Sequence, residues 1–241
     1  MFDIVIPVGP SDASCILEQL VYTKMNIVGY RNIYLISYDP SLQIEGCSTI
    51  DERSFPFTIR DVASRHSSHS RNGWYLQQLL KLYAGTCIPG ILERFLVIDS
   101  DTFFLKPTEF IRDGKCLYNY GSEYHVSYFH HMARLYPTLK KVSPTRSGIC
   151  HHMMFEARFV KELFALVENA HKKKFWVVFL EQVAKDQNTR SGASEYEIYF
   201  NYMLQYHPDE IIVRPLQWAN VGKLDLGAAY DYVSYHHYMR S

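Results

Sequence analysis

Short apolar runs alternate with stretches of helical spacing through the first third of the chain, and this alternation limits the fold more than any other feature. Phe2 to Val8 reads FDIVIPV, a continuous apolar run of strand length. Gly9-Pro10-Ser11-Asp12 is turn chemistry, with Ser11 or Asp12 placed to cap a helix over about residues 13–29. Asn32 to Tyr38 (NIYLISY) reads as a second strand ended by Asp39-Pro40, and Cys47 to Ile50 as a short third. Trp74 to Ala84 carries apolar residues at helical spacing, and Phe95 to Ile98 is the next strand. Strand, helix, strand in repetition requires crossovers, hence an α/β fold with a mostly parallel, Rossmann-like central sheet flanked by helices. Further on, Ala157 to Ala170 and Ser194 to Tyr206 read as helices and Ile211 to Val213 as a strand. The tail from Tyr230 to Ser241 is rich in Tyr and His and is expected to be ordered.

With 241 residues and 47% hydrophobic content, the chain can bury one sizeable core, so a single domain is expected over 1–241. The formal net charge of zero gives no footing for a nucleic-acid backbone or an anionic membrane. No 18-residue apolar stretch occurs, and the amino-terminal apolar run has no basic region before it, so neither a spanning segment nor a signal peptide is expected. Cys15, Cys47, Cys87, Cys116 and Cys150 are scattered, with no C-x-x-C, which reads as reduced thiols and a cytoplasmic location. The 19 Tyr and 3 Trp pair apolar faces with polar tips, as sugar-binding surfaces do.

Arg94 to Pro107 reads RFLVIDSDTFFLKP: an apolar strand runs into two carboxylates, Asp99 and Asp101, and then returns to apolar structure. Parallel sheets bind ligands at the carboxyl ends of their strands. Residues two apart on a strand face one side, so Asp99 and Asp101 are expected to share a crevice. Oxygen ligands there suit Mn²⁺ or Mg²⁺, with substrate phosphates completing the shell.

On these residues the chain resembles the metal-dependent glycosyltransferases of the GT-A fold, in which a D-x-D motif holds a divalent metal on a nucleotide-sugar diphosphate. Phe2 to Pro7 resembles the first strand, which receives the nucleoside, and Asn32 to Asp39 the second, whose end meets base or ribose. Three short signatures, W-Y-x-Q-Q-x-L-K (Trp74 to Lys81), D-S-D-T (Asp99 to Thr102) and S-E-Y-E (Ser194 to Glu197), are similar to those of a bacterial and viral branch of this fold. The resemblance implies residues 1–107 as the nucleotide-sugar-binding half and 108–241 as the acceptor-binding half. It implies Asp101 as direct metal ligand, with Asp99 on the ribose or a metal-bound water. Donor contacts are expected from Pro7, Val8, Asp39, Arg71, Trp74, Gln78, Lys81 and Ser100. Trp74, Gln78 and Lys81 fall on one helical face, which is either solvated or turned toward the donor.

Ser194 and Glu197 fit the capping box S-x-x-E, which gives Glu197 a structural duty. Glu195 has none, and it lies in the first helical turn, where the dipole favours a carboxylate. An inverting transferase needs a carboxylate to accept the proton of the attacking hydroxyl. By the resemblance this base sits at such a helix start: Glu195, with Glu197 next in line. Of the 11 histidines, His151-His152 follows the metal motif and is expected on the acceptor side. His236-His237 offers the carboxyl-terminal metal ligand that several GT-A families use, with His236 preferred over His237. His125, His130 and His131 lie in EYHVSYFHHM, a candidate acceptor loop.

No H-E-x-x-H, G-x-x-x-x-G-K, G-x-G-x-x-G or G-x-S-x-G occurs, which removes the sequence basis for a zincin, P-loop, dinucleotide-binding or α/β-hydrolase site. The resemblance to the GT-A enzymes implies a hexosyl- or pentosyltransferase of polysaccharide biosynthesis. It would use a UDP- or GDP-linked sugar, Mn²⁺ or Mg²⁺, and a glycan or lipid-linked acceptor hydroxyl, with inversion. A metal-dependent nucleotidyltransferase and a non-catalytic nucleotide- or sugar-binding module are the competing readings.

Overall fold

The computed structural model describes residues 1–12, 14–227, 229–236 and 239. The chain begins β1 (Phe2–Val8), α1 (Ile16–Asn26), β2 (Ile27–Val28), β3 (Tyr30–Ser37), β4 (Ser48–Asp51), α2 (Ile59–His66) and α3 (Asn72–Cys87). Next come β5 (Arg94–Ile98), β6 (Thr102–Phe104), β7 (Thr108–Glu109), β8 (Ile111–Arg112), β9 (Lys115–Tyr118) and α4 (Val126–Leu135). The remainder is β10 (His152–Glu156), α5 (Ala157–His171), α6 (Phe175–Glu181), α7 (Glu195–Tyr206), β11 (Ile211–Val213), β12 (Trp218–Asn220) and β13 (Tyr232–Ser234).

Five strands form the central sheet in the order β10-β5-β1-β3-β4. All neighbours run parallel except β10, which pairs antiparallel with β5 at the edge. The α/β class expected from the sequence is the class observed. Every residue of β1 is buried, as a central parallel strand covered on both faces must be. Helices flank the sheet, and α3 packs against β1, β5, α5 and α7. A run of rings ties α7 to the sheet: Phe95 stacks on Phe155 at 5.7 Å, and Phe155 on Tyr199 at 4.4 Å. The Tyr199 hydroxyl also accepts from the Glu156 backbone N–H at 3.0 Å.

Local departures from the sequence reading have local causes. Ser11 and Asp12 lie in a 3-10 turn, Pro10–Asp12, and Cys15 takes the N-cap position of a shorter α1. The expected acceptor loop around His125–His131 is instead helix α4, whose apolar side is held by Tyr128, Met132 and Leu135. Cys47, Cys87, Cys116 and Cys150 carry free thiols. Among the described residues no helix is long and apolar enough to cross a membrane.

In the central sheet, the chain turns to opposite sides after β1, with β3 on one flank and β5 on the other. A crevice opens at the carboxyl ends of strands flanking such a reversal. Here those ends are Val8 and Ile98, and the acidic pair follows Ile98 directly.

Candidate active site

A cavity of about 910 Å³ occupies that crevice. Pro7, Val8, Arg71, Trp74, Gln78, Lys81, Asp99, Ser100, Asp101, His151, Glu195 and His236 all line it. Residues from both halves of the chain therefore converge on one space. Their carriers are β1, α3, the turn after β5, the segment before β10, the start of α7 and the stretch after β13.

Asp99-Ser100-Asp101 is a turn rather than strand, closed by the Thr102 N–H donating to the Asp99 carbonyl at 3.0 Å. Two long-range backbone bonds pin it: Asp99 N–H to the His151 carbonyl at 2.9 Å, and Tyr235 N–H to the Asp101 carbonyl at 2.8 Å. Both carboxylates reach the cavity because a turn presents them, not because a strand alternates.

Lys81 is the centre of the charge arrangement. It is 3% exposed, and its Nζ lies 2.5 Å from Asp99 Oδ1 and 2.7 Å from Glu195 Oε1. The helical face of Trp74, Gln78 and Lys81 is thus turned inward, with Gln78 and Lys81 buried. Gln78 Oε1 accepts from the Glu195 N–H at 3.1 Å, which satisfies one orphan donor of the α7 amino terminus. Tyr196, which the sequence reading passed over although it sits inside S-E-Y-E, donates its hydroxyl to Asp99 Oδ1 at 2.9 Å. Its ring also packs against the Lys81 ammonium at 4.4 Å.

Burial would raise the pKa of Asp99, but the Lys81 charge and the His151 hydrogen bond outweigh it and hold the carboxyl well below its ordinary range. For Glu195 the balance goes the other way. Burial pushes its pKa up, Lys81 pulls it down, and the neighbouring Asp99 charge adds to the rise, leaving it above the usual glutamate value. Two carboxylates that share one ammonium are thereby driven apart in proton affinity, Asp99 down and Glu195 up.

His236 Nδ1 is 2.8 Å from Asp101 Oδ2. Burial opposes protonation of His236, yet the hydrogen bond and the Asp101 charge prevail and raise its pKa above the ordinary imidazole value. His151 Nδ1 is 3.3 Å from Asp99 Oδ2, and the two imidazole rings meet edge to face at 4.6 Å. His237 lies outside the described residues.

Several expected site residues are elsewhere. Asp39 does not line the cavity; its Oδ1 accepts from the Ser41 N–H and hydroxyl at 2.9 and 2.6 Å, so it serves the turn after β3. Its neighbour Tyr38 lines the cavity in its place. Glu197 is fully buried away from the cavity. Its carboxylate accepts from Ser147 Oγ at 2.5 Å and Asn201 Nδ2 at 2.7 Å, with Lys141 Nζ at 3.6 Å, which removes it as an alternative base. Only half of the capping box forms: Ser194 Oγ accepts from the Glu197 N–H at 3.3 Å, while the Glu197 side chain turns to Ser147 and Asn201. His152 opens β10 and is packed among Phe104, Phe110 and Tyr232, where burial lowers its pKa to about 3. It is a core residue, not an acceptor contact. His131 is likewise buried, with Nε2 2.8 Å from the Phe179 carbonyl, and of the α4 histidine group only His125 lines the cavity.

Asp99 is already engaged, with Lys81 and Tyr196 on Oδ1 and His151 on Oδ2. Asp101 differs: its Oδ1 is buried with no hydrogen-bond partner. Among the described residues no three His, Cys, Asp or Glu side chains are gathered to hold a metal unaided. An ion bound through one or two protein groups and completed by substrate phosphates and water fits this arrangement. The charge of the cavity also fits: six carboxylates (Asp12, Glu52, Asp99, Asp101, Glu123, Glu195) face two permanent cations, Arg71 and Lys81. Such a surface repels a diphosphate unless a divalent cation accompanies it.

The family described as "Family of unknown function (DUF6492)" matches residues 42–214. No curated protein matches the chain. Among solved structures, the apo crystal structure of mouse Xyloside xylosyltransferase 1 is similar at 12% sequence identity and a TM-score of 0.49, over 91% of this chain and 87% of that chain.

Proposed function

The chain belongs to DUF6492, a family of unknown function, so its chemistry has to come from its own site, and we propose that it is a metal-dependent, inverting glycosyltransferase. The donor is a UDP- or GDP-linked sugar and the acceptor a hydroxyl of a glycan or lipid-linked saccharide. The observation that carries this reading is the pairing, in one cavity, of a buried carboxylate with raised proton affinity, Glu195, and a carboxylate with an unpartnered oxygen, Asp101. The D-S-D-T and S-E-Y-E signatures and the position of the cavity at the carboxyl ends of β1 and β5 support it.

In this mechanism Glu195 accepts the proton of the acceptor hydroxyl as that oxygen attacks the anomeric carbon. The bond from that carbon to the diphosphate oxygen breaks, and its electron pair leaves with the nucleoside diphosphate. Lys81 holds Glu195 in place through the 2.7 Å contact and keeps Asp99 ionised. A divalent ion would be held by Asp101 and would supply Lewis-acid neutralisation of the leaving diphosphate. The free thiols of Cys47, Cys87, Cys116 and Cys150 are in keeping with a cytoplasmic setting.

The test is incubation with UDP- and GDP-sugars, with and without Mn²⁺. Slow metal-dependent release of free sugar and nucleoside diphosphate is expected. Release of pyrophosphate would point to nucleotidyl transfer and overturn the reading, as would the absence of any turnover or binding across the donor panel.

A further inference from the structure

Two buried polar atoms of the cavity have no hydrogen-bond partner: Asp101 Oδ1 and His151 Nε2. Their residues are 7% and 8% exposed. Burying a polar atom without a partner is unfavourable, and such atoms ask for a ligand. His151 also holds a backbone φ of +62°, in the left-handed region that a histidine adopts only at a cost. That conformation is fixed by the Asp99 N–H bond to the His151 carbonyl and by the Asp99 carboxylate at Nδ1. A carboxylate only accepts, so Nδ1 carries a proton, and in the neutral ring Nε2 then presents a lone pair. A carboxylate behind one imidazole nitrogen, with the other nitrogen bare, is the arrangement that orients histidine toward a metal.

Resting on the glycosyltransferase reading, the geometry points to a metal held by Asp101 Oδ1 and His151 Nε2. Asp99 is then the orienting carboxylate behind His151 rather than a ligand, and His236 positions Asp101 through its 2.8 Å contact. An imidazole ligand favours Mn²⁺ over Mg²⁺, which prefers oxygen alone. The ion takes its remaining ligands from the diphosphate and from water.

Pulsed electron paramagnetic resonance of Mn²⁺ bound to the full chain, with UDP and separately with GDP, tests the assignment. The expected result is a directly coordinated nitrogen in the parent chain. That coupling disappears in His151→Asn and His151→Gly, both suited to the left-handed backbone, with Mn²⁺ binding weakened at least tenfold. His236→Ala keeps the coupling. Nitrogen coupling that survives both His151 variants, or that vanishes in His236→Ala alone, overturns the ligand assignment and leaves the transferase reading standing. No Mn²⁺ binding to the parent chain with either nucleotide overturns the glycosyltransferase reading itself.

Discussion

Lys81 Nζ stands 2.7 Å from Glu195 Oε1, both side chains buried, and so joins helix α3 to the amino terminus of α7. Because the same ammonium is 2.5 Å from Asp99, it neutralises two carboxylates that would otherwise repel each other. Lys81→Met removes the ammonium between two buried carboxylates, leaving Asp99 only its Tyr196 and His151 contacts, and is expected to lower stability by about 3–5 kcal/mol. Adding Glu195→Gln to that variant should restore part of the loss, since one stranded charge is gone. Urea denaturation of the parent, both single variants and the double variant measures the coupling. Strictly additive effects would show that the pair does not interact.

Glu195→Gln keeps the shape of the site and removes the proposed proton acceptor. Transfer should fall by about 10²–10⁴-fold while donor binding stays within a few-fold. In the parent, the rate should decline on acidification through a pKa above the ordinary glutamate range, because only ionised Glu195 accepts a proton and its pKa is raised. A pH–rate profile with that acid limb, lost in Glu195→Gln, is the expected pair of results. An unchanged rate in the variant removes Glu195 from the mechanism.

Asp101→Ala should abolish metal-dependent nucleotide binding and leave the fold intact. Asp39→Ala should leave that binding unchanged, since its carboxylate is spent on Ser41 outside the cavity. Isothermal titration of each variant with UDP or GDP in the presence of Mn²⁺ distinguishes the two aspartates. Equal losses would mean that Asp39 reaches the nucleotide after all.

Burial lowers the His131 pKa from 6.5 to about 3. Between those values the unfolded chain binds a proton there and the folded chain does not, so stability falls as pH drops across that window. At most the slope is about 1.4 kcal/mol per pH unit. His131→Gln keeps a donor for the Phe179 carbonyl but cannot titrate. Its denaturation midpoint should therefore fall less steeply than the parent's between pH 7 and pH 4. Parallel curves would exclude His131 as a source of acid sensitivity.

The sequence by itself determined the main strands β1, β3 and β5, the helices α3, α5 and α7, and that two carboxylates follow β5, because apolar spacing and turn residues act over a few neighbours. It also marked Glu195 and Lys81 as residues of interest, each by its place on a helix. Only the tertiary structure decided what they touch. Lys81 and Glu195 are 114 positions apart, and no local pattern encodes that contact. The face carrying Gln78 and Lys81 is polar in either setting, and the packing of α3 against α7 made it interior. Gly148, in the segment before β10, lies as close to α7: a β-carbon there would stand 2.5 Å from the Tyr196 carbonyl oxygen. Glu197 and His152 look as chemically able as Glu195 and His151 in the sequence. They differ only in facing the core instead of the cavity, because neighbouring residues of a helix or strand point in different directions and the surrounding fold fixes which direction opens onto solvent.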